Sequence, residues 1–257
     1  MNNYCRDIKD CSIYVRNWII QQPRVKEESL TDWLLMEISK KLPFVSYKAF
    51  SRTEEAKTTG ADWEWWFVFK KSSFKLRIQA KKIKKSNNYS SLNYKNKYGL
   101  QIDTLISNSI HENAIPLYAF YASDVKNVMC NKNIIDEGVY IAGAKRLSED
   151  FVKPVVKTIN PKSILKITNP LSCFLCCTLI RRHSGFKDFI FKYYESEIEI
   201  DERQKDTVLG EYVELPNYVK SIMRYDKENI HDELQYNDYL KNANAILIFD
   251  LTEIQID

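Results

Sequence analysis

Glycine and histidine are scarce in this chain, 6 and 3 of its 257 residues. So few glycines argue against the Gly-rich loops that let a backbone close on nucleotide phosphates, and neither a P-loop nor a dinucleotide fingerprint occurs. His111, His183 and His231 are scattered without matching partners, so nothing supports a Ser-His-Asp or other histidine-dependent mechanism. Long apolar runs are missing as well. The most apolar stretch, Leu171–Ile180, is about half of what a bilayer-spanning helix needs. Met1–Arg16 mixes charges where a secretory signal would be apolar. The six cysteines (Cys5, Cys11, Cys130, Cys173, Cys176, Cys177) form no spaced framework, and Cys173-x-x-Cys176-Cys177 with His183 lacks the second pair of a zinc site. The expectation is a cytoplasmic protein with no membrane association and with free, buried thiols.

What the chain does have is charge, unevenly spread. A net charge of +4 is the cancellation of two halves. Lys187–Asp257 holds 8 basic and 17 acidic residues, a net of −9, which leaves +13 on the rest. That asymmetry suits a polyanion partner for the first part, although two differently solvated faces of one domain would produce it too. The acidic stretch Glu195–Glu214 is expected to lie against the basic face when no nucleic acid is bound.

Hydrophobic spacing gives an order of elements. Leu30, Trp33, Leu34, Leu35, Ile38 and Leu42 make one helical face between about Val25 and Leu42, closed by Pro43. Phe44–Phe50 reads as a short strand. Ala61–Lys70 and Lys75–Ile83 read as a strand pair, Lys84–Tyr98 as a loop, Gly99–Glu112 as a helix and Pro116–Tyr121 as a buried strand. Beyond about Asp124 the pattern is mixed, with strands at Gly138–Ile141 and Ala245–Leu251 and helices at Ser148–Lys157 and Asn217–Met223. The boundaries expected are an N-terminal helical segment (1–24), a core (25–124) and an α+β extension packed on it (125–257).

The strand pair carries the chemistry. Asp62 and Glu64 leave one face of their strand, Trp63 and Trp65 the other; Gln79 and Lys81 leave theirs opposite Ile78 and Ala80. Antiparallel pairing brings the acids beside Gln79 and Lys81 at one sheet end. Hard Mg²⁺ takes oxygen ligands of this kind, polarises a phosphate and acidifies a bound water, and a nearby lysine stabilises the charge that builds up.

The order αβββαβ, with Thr59-Gly60-Ala61-Asp62 opening one strand and Gln79-Ala80-Lys81 on the next, resembles the restriction-endonuclease-like, PD-(D/E)xK nuclease superfamily, in its Mrr-like QxK variant. The fuller pattern (TGADWEWWF, IQAKK, GLQID, PLYAFY) also resembles a family of bacterial proteins suspected of roles in phage defence. The resemblance spans about Val25–Tyr121. It implies an α/β core with a mixed sheet flanked by helices and an Mg²⁺- or Mn²⁺-dependent endonuclease. Asp62 would be the central metal ligand, Lys81 the catalytic lysine, and Gln79 would stand where the family's second acid usually is. The superfamily's first-helix acid falls on Glu28, with Glu27 as substitute; Glu64 would be a second carboxylate, and Gln101 and Asp103 would lie behind the site. The neutral Gln79 leaves one negative charge fewer on the metal.

Eight positive charges fall between Lys70 and Lys85 with no acid among them: Lys70, Lys71, Lys75, Arg77, Lys81, Lys82, Lys84 and Lys85. Phosphate neutralisation by such residues supplies sequence-independent affinity for nucleic acid. Phe74, Tyr89 and Tyr94 could stack on bases, while Trp63, Trp65 and Trp66 read as core. The expected partner is therefore DNA, with RNA also compatible, and with a homodimer or a partner subunit of a defence complex open. Two alternatives stand beside a DNA nuclease: a non-catalytic nucleic-acid-binding or scaffold module on the same fold, and an RNA-cleaving effector.

Overall fold

The computed structural model describes residues 3–50, 60–83, 89–97, 99–123, 129–130, 133–134, 136–154, 158–177, 180, 185–197, 209–224 and 244–254. In chain order its main elements are α1 (Asn3–Gln21), α2 (Glu27–Lys41), β1 (Val45–Ala49), β2 (Trp63–Val68), β3 (Ser73–Lys82), α3 (Gln101–His111), β4 (Ile115–Tyr121) and β5 (Val139–Gly143). There follow β6 (Asn169–Pro170), α4 (Gly185–Tyr194), β7 (Glu211–Tyr212), α5 (Asn217–Met223) and β8 (Ala245–Asp250), with shorter helical turns between.

Both long N-terminal helices follow from their sequences. Ile8, Cys11, Val15 and Ile19 recur at helical spacing on α1 and are all buried. On α2, Glu27 and Glu28 in the first turn and Lys40 and Lys41 in the last complement the helix dipole, while Leu30, Leu34, Leu35 and Ile38 face inward.

The strands form one mixed eight-stranded sheet of order β1–β8–β2–β3–β4–β5–β6, with β7 paired to the start of β3. The pairs β8/β2 and β3/β4 are parallel, and β1/β8, β2/β3, β4/β5 and β5/β6 are antiparallel. Here the division at residue 124 needs correction. Residues 125–257 are not an extension laid on a finished core, because β8 lies between β1 and β2, with Ile246 opposite Glu64 and Val45 opposite Phe249. The physical reason is visible in its composition. Ala245–Phe249 is apolar on both faces, as a strand covered on both sides must be.

Helices cover both faces. On one, α1, α2 and α4 bury Trp63, Trp65 and Phe67 of β2 with Leu76, Ile78 and Ala80 of β3. On the other there are two smaller cores: α3 with Tyr118, Phe120 and Tyr140, and α5 with Trp66, Val68, Ile246 and Ile248. Between those two cores run the even-spaced polar residues of β3. Among the described residues no helix is long and apolar enough to cross a membrane.

The cysteines depart from expectation. Cys5 on α1 and Cys176 pair as a disulfide, with Cα atoms 5.4 Å apart, and among the described residues Cys11, Cys173 and Cys177 are buried outside any disulfide. The packing of α1 against the Cys173–Cys176 turn brings the two together, a proximity that spacing along the chain does not reveal. The thiol argument for a reducing compartment therefore falls away. Cys5→Ala should lower the unfolding free energy by about 2–4 kcal/mol under oxidising conditions. Denaturant melts of both proteins with and without reductant check this, since the difference should vanish when reductant is present.

Candidate active site at the end of strand β3

Asp62 is held in place before its side chain is considered. Gly60, two residues earlier, has φ +73°, and a Cβ there would come within 2.8 Å of the Leu105 nitrogen and 3.0 Å of the Gln101 carbonyl. Only glycine allows the chain to run this close to the first turn of α3. The Asp62 N–H then donates to the Ile78 carbonyl (2.8 Å), and its own carbonyl accepts from the Asn244 N–H (3.1 Å) at the entry to β8. The residue is clamped between two strands from opposite ends of the sequence.

The side chains converge as the period of the strand requires. Gln79 Nε2 donates to Asp62 Oδ2 at 2.5 Å and to the Ala80 carbonyl at 3.0 Å, and the Ala80 N–H donates to the same Asp62 oxygen at 2.7 Å. Gln101 Nε2 donates to Gln79 Oε1 at 2.8 Å. Lys81 Nζ stands 3.9 Å from Glu27 Oε1, whose other oxygen accepts the Lys82 N–H at 2.6 Å. Burial pushes the Asp62 carboxyl up to about 7, against the pull of the Ala80 N–H and Lys81. Burial also raises Glu27, opposed mainly by Lys81.

The amide chain bears on what this corner can hold. Among the described residues the buried Gln101 Oε1 has no hydrogen-bond partner. Turning the Gln79 and Gln101 amides over would give that oxygen the Gln79 NH₂ as donor and leave the Gln101 NH₂ in the unpartnered place instead. It would also set the Gln79 oxygen against both the Asp62 carboxylate and the Ala80 carbonyl, an arrangement that repels unless a cation lies among them. Only with the Gln79 amide turned over do Asp62 and Gln79 both present oxygens to a hard divalent ion, and no group of three His, Cys, Asp or Glu that could hold a metal occurs among the described residues.

Several residues assigned from sequence lie elsewhere. Glu28, one residue and about 100° round the helix from Glu27, is exposed on the wall of the neighbouring cleft, where its charge still raises the Asp62 carboxyl; it is Glu27 that reaches Lys81. Glu64 leaves the same face as Asp62 but is consumed by a separate buried cluster. Its Oε1 accepts from Tyr218 and Trp66, both at 2.6 Å, and its Oε2 lies 3.4 Å from Lys75 and 3.6 Å from Arg77. Those partners hold its carboxyl below the usual range despite burial. Lys75 and Arg77, read as nucleic-acid contacts, are only 3% and 2% exposed and also face Glu112. They are interior residues and cannot reach a phosphate.

The remaining cations of the run are dispersed. Lys70 and Lys71 are exposed at the β2–β3 turn, about 30 Å along the strand from Lys81. Lys82 donates its ammonium to the Pro23 and Val25 carbonyls, each at 2.7 Å, and so fastens the α1–α2 connection to the sheet. Lys84 and Lys85 lie outside the described residues. Gln101 touches Gln79, whereas Asp103, two residues on, is exposed on another side of α3. Phe74 and Tyr89 are buried and cannot stack on a base; Tyr94 is 55% exposed. Of the stretch Glu195–Glu214, residues 198–208 lie outside the described residues. Glu197 is buried against the Lys145 and Arg146 N–H groups, and Glu211 pairs with Lys187.

Beside Lys81 opens a cleft of about 1050 Å³, between the α1–α2 connection, the first turns of α2, the end of β3 and Ser91–Tyr94. Arg24 and Lys26 line it, and sequence reading passed over both. Their signal was faint, two isolated cations in the short connection before an acidic helix start.

Fold and site together define a mixed α/β protein with a polar, cation-compatible corner at one sheet end. The chain belongs to a family of unknown function, DUF6615, whose model matches residues 4–252 and so includes β8 as well as β2 and β3. No curated protein matches the chain.

Two outcomes follow from these environments. Glu64→Ala leaves two buried cations short of their shared acid and should cost about 3–5 kcal/mol, measured by denaturant unfolding. Asp62 behaves oppositely. Between its ordinary value of 3.8 and about 7 the folded chain keeps a proton that the unfolded chain has lost, so its carboxyl makes stability fall as pH rises through that window. Asp62→Asn removes this penalty; in EDTA, its gain in Tm over the native protein should be larger at pH 8 than at pH 5.

Proposed function

We propose that the protein is a metal-dependent nuclease with a restriction-endonuclease-like core that hydrolyses phosphodiester bonds of DNA. The observation that supports this best is the meeting of Asp62, Gln79 and Lys81 with Glu27 at one sheet end, beside a cleft. Mg²⁺ or Mn²⁺ would be held by Asp62 and, with its amide turned over, by the Gln79 oxygen, and would supply Lewis-acid polarisation of the phosphate and an acidified water. The protein's own part is positional. Gln101 sets the Gln79 amide, the Ala80 N–H fixes one Asp62 oxygen, and Glu27 holds the Lys81 ammonium where negative charge develops on the phosphate. The Asn244 N–H, at the entry to β8, fixes the Asp62 backbone.

A second reading has one observation in its favour. With Gln79 neutral and Glu64 committed elsewhere, the corner has a single acid directly on Gln79, which suits a nucleic-acid-binding module without catalysis.

Incubating duplex DNA, single-stranded DNA and RNA with the protein in Mg²⁺ or Mn²⁺ separates these readings. Cleavage of DNA should fall by about 10²–10³-fold in Asp62→Ala and in Lys81→Ala while DNA binding persists. Cleavage undiminished in Asp62→Ala overturns the nuclease; binding without any cleavage selects the module, and cleavage confined to RNA selects the effector.

A further inference from the structure

We infer that the cleft beside Lys81 takes a single, unpaired DNA strand, with one base stacked on Tyr94 and the backbone phosphates on Arg24 and Lys26. The inference rests on the reading of the adjoining corner as a phosphodiester site, and it names the form of the substrate.

Tyr94 is placed by the catalytic corner itself. Its carbonyl accepts the Gln101 N–H at 3.0 Å, and the same Gln101 donates through its side chain to Gln79. Lys95 and Asn96, directly after it, pair with Leu100 and Gly99. An aromatic residue more than half exposed, on backbone hydrogen-bonded to the start of α3, is a stacking platform with little backbone freedom left to lose. Across the cleft, Arg24 and Lys26 are exposed and have no ion-pair partner among the described residues. The Lys82 ammonium, bonded to the carbonyls of Pro23 and Val25, holds the segment that carries them.

This geometry discriminates between forms of DNA. A duplex keeps its base faces stacked and offers only edges in its grooves, so Tyr94 has nothing to stack on. An unpaired strand exposes every base face. Glu28 and Asp32 line the α2 side of the cleft and repel phosphate, which confines the backbone to the side of Arg24 and Lys26.

The test uses the full chain in EDTA, where metal-dependent cleavage cannot interfere. Fluorescence anisotropy is read on a labelled oligothymidine and on a duplex of the same length. The native protein should bind the single strand at least tenfold more tightly. Tyr94→Ala should weaken that binding by about 5–100-fold, Tyr94→Phe should restore it, and duplex binding should stay within about twofold. Arg24→Ala with Lys26→Ala should lower the slope of log Kd against log salt by about 1.4 for the single strand. Equal affinity for the two DNA forms, or no change in Tyr94→Ala, overturns the inference whatever the cleavage assay shows. Undiminished cleavage in Asp62→Ala sinks the nuclease reading instead, and leaves a Tyr94-dependent preference for the single strand standing.

Discussion

Every second residue of β3 is polar or charged, Lys75, Arg77, Gln79 and Lys81, although the strand sits mid-sheet with helices on both sides. Burying such a row without partners is prohibitive, so the rest of that face is arranged to supply them. Glu64, Glu112 and Tyr218 converge around the two inner cations. Asp62 and Gln101 take up the amide, and Glu27 meets the last lysine. The apolar packing of the face is consequently split in two, with α3 on one side of the row and α5 on the other. The row also pins the register of β2 against β3, because a one-residue slip would turn every charge into the large apolar core opposite.

Along this row the environment changes over a short distance. Asp62 and Glu64 are two residues apart on one face, and burial pushes both carboxyls up, yet their partners leave Asp62 raised and bring Glu64 below its ordinary value. Glu64 has two cations and two hydrogen-bond donors around it, enough to overcome desolvation. Asp62 has only an amide, a backbone N–H and a lysine that is already engaged by Glu27. An ion-paired acid and one that holds its proton more tightly are thus made side by side by the partners each receives.

Much of this was legible in the sequence. The α2–β1–β2–β3–α3–β4 order followed from hydrophobic spacing, and strand periodicity alone put Asp62, Gln79 and Lys81 on one face. Periodicity does not say how far along a face a residue lies, and that is where the reading of Lys75, Arg77 and Glu64 failed. A run of lysines looks like a solvated surface until it is known that an apolar helix, α5, and a carboxylate from β2 cover two of them. The choice of Glu27 over Glu28 turned on 100° of helix rotation, beyond what spacing resolves. The position of β8 was beyond local reasoning altogether, since its sequence says that it is buried on both faces but not between which neighbours.

That position has a consequence for how the molecule comes into being. β1 and β2 are close in sequence but cannot pair with each other; each waits for a partner made after everything between them and Ala245. The middle of the sheet, and with it the backbone of Asp62, is completed only by Asn244 and the strand that follows it. The sheet cannot close until Ala245–Asp250 has been synthesised, and such long-range closure is slow. A truncated product ending before Asn244 would lack half of the clamp on Asp62. The sheet thus makes the corner around Asp62 depend on a strand that is synthesised long after it.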